Sequence, residues 1–292
     1  MSIRNNEDRL GTKKTSSDPP PLPLIEDQKA ESMADSPTPP LSFSTPTEIV
    51  DLPSKGLFYP PDHPLHQQET VEIRFMTAKD EDILTSKSLL KKGVAIDRFL
   101  QNIILDKKVK VEELLTGDKN ALIVAARITG YGSEYKTKLA CPTCGEHVEH
   151  SFDLDDTQHV ECEIPEEVDR TSRGTFIAVT PRSKMQVELQ LLRGGDEKKL
   201  AKMVAMKKKR NLPESTLSDQ LRLAIASVNG ESEPNVINLF IGSLAASEAR
   251  YLRGVYAKLM PNVDMKQDFL CHFCGFEQEI EVPFTSDFFW RK

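Results

Sequence analysis

Two short stretches, Cys141-Pro-Thr-Cys144-Gly145 and Cys271-His-Phe-Cys274-Gly275, carry the clearest chemical signal in the chain. In each, two thiols flank two residues and a glycine follows. This is the spacing of a zinc knuckle. The first Cys ends a strand, the chain turns tightly, and the second Cys points back at the same ion. Glycine permits the backbone angle that the turn needs. One pair supplies half of a tetrahedral site and two pairs supply a whole one. The expectation is therefore one Zn2+ ion held by Cys141, Cys144, Cys271 and Cys274, tying the middle of the chain to its later part. Four thiolates leave no coordination position for water or substrate, so the site reads as structural rather than catalytic. The competing readings are two separate redox or disulfide pairs, and a catalytic or nucleic-acid-reading metal. Cys162, in an acidic stretch without a nearby partner, reads as a free thiol. His147, His150 and His272 flank the knuckles as possible substitute ligands, but with four cysteines present they read as surface side chains.

Other catalytic constellations are missing from the sequence. There is no phosphate-cradling GxxxxGK[ST], no dinucleotide GxGxxG, no HExxH and no G-x-S-x-G elbow. Asp153, Asp155 and Asp156 form an acidic loop without the alternation and distal Glu of a calcium site. The chain therefore reads as a non-enzyme. Its net charge of -7 disfavours broad contact with phosphate backbones. The basic run Lys207-Lys-Lys-Arg210 reads as a solvated helix end before Pro213. No apolar stretch is long enough to span a membrane and no apolar signal core opens the chain. The expectation is a soluble protein made in the cytoplasm.

The elements that must position the knuckles fall into a doubled pattern. Residues 1–46 hold eight of the 19 prolines and few large apolar residues. They read as a disordered arm, either a tether or a segment that orders against a partner. A turn-rich loop follows, with Leu57, Phe58 and Tyr59 expected to pack on the next strand. From Val71, a strand, an acid-started helix capped by Thr77, and an amphipathic helix over Ile96 to Ile104 lead to a helix carrying Ala126-Arg127. Two strands then enclose the first knuckle. From Val187 the same order recurs: a strand, a helix with Asp196 and Glu197 at its start, a helix over Leu217 to Val228, a helix with Ala249-Arg250, and two strands around the second knuckle. The offset grows from 116 residues at the start to 130 at the knuckles. Order, element type and spacing point to a tandem duplication. The domain reading is an arm at 1–46, a first repeat at 47–154, a connector at 155–186 and a second repeat at 187–292. The fold class is mixed α/β (α+β), a pseudo-repeat joined at one zinc-ribbon-like site. In the connector, a strand at Thr175 to Thr180 is expected to pair with Val187 to Leu192.

The last residues, Val282-Pro-Phe-Thr-Ser-Asp-Phe-Phe-Trp290, are dense in aromatics. Such rings either seal a core or anchor a partner. Phe288, Phe289 and Trp290, with Phe58 and Tyr59, are the candidate partner contacts.

Four segments together carry a family resemblance. They are Asp51-Leu-Pro-Ser-Lys-Gly-Leu-Phe-Tyr59, Val71-Glu-Ile-Arg-Phe-Met-Thr-Ala-Lys-Asp-Glu-Asp82, the Cys-Pro-Thr-Cys-Gly knuckle, and Pro283-Phe-Thr-Ser-Asp-Phe-Phe-Trp290. In this order the chain resembles, over residues 48 to 292, the baseplate hub proteins of T4-like contractile-tailed phages. The resemblance implies a structural subunit or assembly factor of the tail baseplate. It would be made in the infected bacterium, reside in the virion, and have other baseplate and tail hub proteins as partners. A zinc-ribbon module for nucleic acid or transcription is the alternative.

Overall fold

The computed structural model describes residues 45–211, 213, 215–283 and 286–289. The predicted arm at 1–46 falls almost wholly outside them. The first strand, β1 (Thr47–Asp51), pairs antiparallel with β2 (Thr70–Arg74), and Val50, Val71 and Ile73 turn inward. Three helices follow: α1 (Ala78–Thr85), α2 (Lys87–Lys92) and α3 (Ala95–Ile103). A 3-10 turn at Val111–Glu113 leads to α4 (Thr116–Tyr131), which is buried on nearly all sides and forms the axis of the core. The hairpin β3 (Glu134–Ala140) and β4 (His147–Asp153) then carries the first knuckle.

A stack of short strands comes next: β5 (Gln158–Val160), β6 (Val168–Arg170), β7 (Phe176–Val179) and β8 (Gln186–Leu189). Two helices, α5 (Gly194–Lys209) and α6 (Thr216–Ala224), precede β9 (Ile225–Val228). After α7 (Pro234–Ser243) and α8 (Ala246–Leu259) come β10 (Asn262–Asp264) and the second knuckle hairpin, β11 (Lys266–Leu270) and β12 (Glu277–Glu281). A 3-10 turn at Ser286–Phe289 closes the described chain. The strands form small antiparallel sheets, of which the largest has the order β6-β7-β8-β9. Its alternation is regular: Phe176, Ala178, Val187 and Leu189 fill the core, while Glu188 on the opposite face accepts from Thr175 and Ser227.

Two sequence expectations change here. The helix expected over Leu217 to Val228 stops at Ala224, and Ile225 to Val228 form β9 against β8. The apolar spacing continues through this stretch, but the open edge of β8 offers Ile225–Val228 a ladder of backbone hydrogen bonds. The 155–186 segment is also more than a connector. Its β7 pairs with β8 as expected, and β6 extends the same sheet.

The two halves use the same local devices. In each, the first helix starts on an Asp that accepts from the backbone amide three residues earlier: Thr77 to Asp80, and Arg193 to Asp196. Ile73 on β2 bridges Ile104 after α3, while Leu189 on β8 pairs with Ile225 after α6. Near the start of α4, the Asp118 carboxylate accepts from the Ser54 amide and hydroxyl, at 2.9 and 2.6 Å. Near the start of α8, Glu248 accepts from the Ser183 amide and hydroxyl, at 2.7 and 3.0 Å. The Lys that follows each serine takes a positive φ, 49° at Lys55 and 55° at Lys184. The same interval separates Asp118 from Glu248 as separates Cys141 from Cys271. This register pairs Arg127 with Ala257. Ala126-Arg127 lies deep in α4 while Ala249-Arg250 lies near the start of α8, so those dipeptides are not equivalent in position.

The halves meet along α4. Leu115 bridges Arg193, and the Gly194 amide donates to the Leu114 carbonyl at 2.9 Å. Lys119 joins Asp97 and Glu197, and Lys198 joins Asp97 and Glu112. Gly117 faces the backbone of Pro261 so closely that a Cβ there would lie 1.9 Å from the Pro261 carbonyl oxygen. Only glycine fits without moving one half away from the other.

Asp80 sets a pH-dependent stability. It is fully buried and accepts from Arg74, Thr77 and Asn102. Burial by itself would raise its pKa, but the hydrogen bonds from Arg74, Thr77 and Asn102 outweigh it and hold the carboxyl down, from 3.8 to about 2. A depressed carboxyl stabilises the fold above its unfolded pKa and loses that contribution as pH falls through the folded value. Asp80→Asn is therefore expected to cost about 2 kcal/mol at pH 7 and progressively less between pH 3.8 and about 2. Urea unfolding across that range measures it, and a cost independent of pH would contradict the assignment.

Candidate metal centre

Each knuckle is built by the same backbone bonds. In the first, the Gly145 amide donates to the Cys141 carbonyl at 2.9 Å and the Cys141 amide donates to the Glu146 carbonyl at 2.8 Å. In the second, Gly275 donates to Cys271 at 2.9 Å and Cys271 to Phe276 at 2.8 Å. The turns close only with the glycines left-handed, at φ 75° for Gly145 and 72° for Gly275. No neighbour crowds a Cβ at either place, so the backbone angle alone calls for glycine.

The two hairpins bring their thiols to one point. The Sγ atoms of Cys141 and Cys274 lie 3.7 Å apart, as do those of Cys144 and Cys271. All four lie within 4.8 Å of one another. A disulfide needs about 2.05 Å, and all four cysteines are free. Sulfurs bound tetrahedrally at about 2.3 Å from a zinc-sized ion stand roughly 3.8 Å apart. The two 3.7 Å edges match that spacing, and the four residues are close enough together to hold one metal ion.

Charge makes the same point. Burial opposes ionisation of Cys141, but the amides of Cys144 and Thr143 and the adjoining sulfurs bring its pKa down to about 7. At Cys144 the Glu146 amide favours the thiolate, yet burial and three neighbouring sulfurs raise its pKa to about 12. Cys274 is raised as well: the Phe276 amide lowers it, but burial and two of the neighbouring sulfurs prevail. Once one sulfur is ionised, its negative charge holds neighbours as thiols. A divalent cation removes that conflict and expels protons as it binds.

The hairpins share little else. Their apolar contact is a small cluster around Val148 and Phe269. Gln267 adds one polar link, accepting from the Asp153 amide at 3.0 Å and donating to its carbonyl. His150 packs edge-on against Phe152 and Phe269, and neither it nor His147 or His272 joins the sulfur cluster. Cys162 stands apart, half-buried, its thiol pushed up to about 11 by burial.

The aromatic candidates go to the interior. Phe58, Tyr59, Phe288 and Phe289 are all buried. Phe58 packs on Phe176, and Tyr59 stacks on His63 and donates to Asp118. Phe289 meets Phe99 edge-on and Phe288 meets Tyr135. These four rings pack within their own chain. Trp290 lies outside the described residues.

Other sequence candidates find local explanations. Lys207, from the basic run at the end of α5, binds the buried Asp219 at 2.7 Å. Asp153 caps the turn at Leu154–Asp156 by accepting from the Asp155 amide. The carboxylates that the sequence reading passed over are Asp118 and Glu248. Their serine partners lie 64 and 65 residues away, and no local pattern marks such pairs. Among the described residues, no helix is long and apolar enough to cross a membrane.

A family model described as T4 bacteriophage base plate protein matches residues 46–290. No curated protein and no solved structure matches the chain.

Proposed function

Because this chain belongs to the T4 bacteriophage base plate protein family, we propose that it serves the baseplate hub of a contractile tail as a non-catalytic subunit or assembly factor. One Zn2+ ion on Cys141, Cys144, Cys271 and Cys274 staples it. The carrying observation is four sulfurs within 4.8 Å of one another inside a baseplate-family chain. Four thiolates complete the ion's coordination and leave no place for water, which suits a staple rather than a reaction centre.

The paired serine–carboxylate latches support a tandem duplication in which each copy brings one knuckle. The second copy then begins at β7 rather than at Val187, since β7 stands to β8 as β1 stands to β2. The partners are other baseplate and tail hub proteins, met after synthesis in the host cytoplasm, and the place of work is the virion baseplate. The charge of -7 speaks against nucleic acid as a partner.

Mass spectrometry of purified virions and of isolated hub intermediates tests this. Peptides of the chain are expected in virions if it is a subunit, and in intermediates alone if it is an assembly factor. Absence from both would overturn the proposal.

A further inference from the structure

Charges that the fold leaves unpaired gather on two faces of opposite sign. The first face lies on the second knuckle hairpin. On its inner side Phe269 and Ile280 join the small cluster with Val148 of the first hairpin. On its outer side Leu270 stands opposite Glu277, Asp268 opposite Glu279, and Lys266 opposite Glu281. All of these are exposed, and Phe273 stands at the tip with 68% of its surface in water. Among the described residues, none of Asp268, Glu277, Glu279 and Glu281 forms an ion pair. The first hairpin is balanced by comparison. There Lys136 holds Glu134 at 2.8 Å, and Lys138 stands opposite Glu149.

The second face lies on α5. Helical spacing puts Lys202, Met203, Met206, Lys209 and Arg210 on one side. Met206 is 53% exposed. Among the described residues, Lys202, Lys209 and Arg210 form no ion pair, whereas Lys207, on another side of the helix, turns to Asp219.

We infer that these two faces dock on each other between copies of this chain. The outer side of the β11–β12 hairpin of one copy lies against the α5 stripe of the next. Asp268, Glu277 and Glu279 meet Lys202, Lys209 and Arg210, while Leu270 and Phe273 cover Met203 and Met206. Flexible thioethers receive an aromatic ring without a preformed pocket. Opposite potentials orient the approach, and like faces repel, so two hairpins or two α5 helices do not pair. A second copy is the occupant because one chain carries both complementary faces. Since the faces differ, the contact is head to tail, and successive copies build a ring or a row. Both faces are small, so the contact between free copies is weak and salt-sensitive. The inference goes beyond the subunit role proposed above and does not depend on a bound ion.

Sedimentation velocity of the full chain tests it. At about 0.1 mM protein and about 0.05 M salt, species larger than a monomer are expected, and at about 0.5 M salt their association is expected to weaken by about tenfold or more. Reversing one face, by Glu277→Lys with Glu279→Lys or by Lys202→Glu with Lys209→Glu, is expected to weaken association at low salt by about a hundredfold. The chain with all four reversals has both faces exchanged in sign. It is expected to regain about tenfold or more over either pair alone. Circular dichroism and metal content check that the variants fold. A monomer under every condition would overturn the proposal and leave each face to a different neighbour. Association that neither reversal changes, or that the four reversals together do not restore, would also overturn it.

Discussion

Replacing Cys271 by serine is expected to empty the metal centre and release both knuckle hairpins while the helical core stays folded. The reason is the contrast between the two sets of contacts. The hairpins share four sulfurs, a small cluster around Val148 and Phe269, the contacts of His150 with Phe269 and the Asp268 backbone, and the Gln267–Asp153 link. The α4 core is far larger. A structural zinc ion contributes on the order of 10 kcal/mol to the apparent folding of small modules. Here the loss is confined to β3–β4 and β11–β12. Amide exchange in those strands is expected to quicken about a thousandfold, equivalent to roughly 4 kcal/mol, while α4 amides keep their protection. Metal content is expected to fall from about one zinc per chain to none, and chelation of the wild-type protein should reproduce the exchange pattern. Full zinc retention in Cys271→Ser, or unaltered exchange after chelation, would remove the staple from the account.

Asp118→Ala is expected to cost about 3 to 5 kcal/mol of unfolding free energy, without any change in metal content. Asp118 is fully buried and answers three donors: the Ser54 amide, the Ser54 hydroxyl and the Tyr59 hydroxyl. Tyr59 in turn accepts from the Leu115 amide. Alanine would leave two hydroxyls and an amide without an acceptor in a dry site, the costly direction for a buried network. Guanidinium unfolding measures this, and a loss below about 1 kcal/mol would contradict it. The pH dependence has the opposite sign to that of Asp80. Burial raises the Asp118 pKa from 3.8 despite the bonds from Ser54 and Tyr59. The folded chain therefore binds this proton more tightly than the unfolded one. The stability linked to this proton, as distinct from that of the hydrogen bonds, is complete below pH 3.8 and declines as pH rises through the raised folded value.

What could be read from sequence was local. A knuckle is fixed by five consecutive residues, and its glycine angle needs nothing from elsewhere. The start of α1 was legible because Thr77 and Asp80 signal it within one turn. The end of α6 was not, because Ile225-Ala-Ser-Val228 keeps the apolar spacing of a helix and becomes a strand through β8. The convergence of the two Cys pairs followed from stoichiometry, since each pair is half a site. The Ser54–Asp118 and Ser183–Glu248 latches had no such prompt. Asp and Glu in a first helical turn have a sufficient local explanation there. The closing aromatics were visible as unusual, but whether a ring is enclosed by its own chain or left for a neighbour depends on packing that spacing does not encode.

Vectorial synthesis gives the metal centre a temporal consequence. A nascent chain exposes Cys141 and Cys144 long before Cys271 and Cys274 have been translated. Under the proposed staple, the first pair alone would be a two-toothed chelate whose ion exchanges readily with the cellular pool. The ion would become enclosed and slow to leave only when the second pair arrives, so tight retention would report that both halves have been made and brought together.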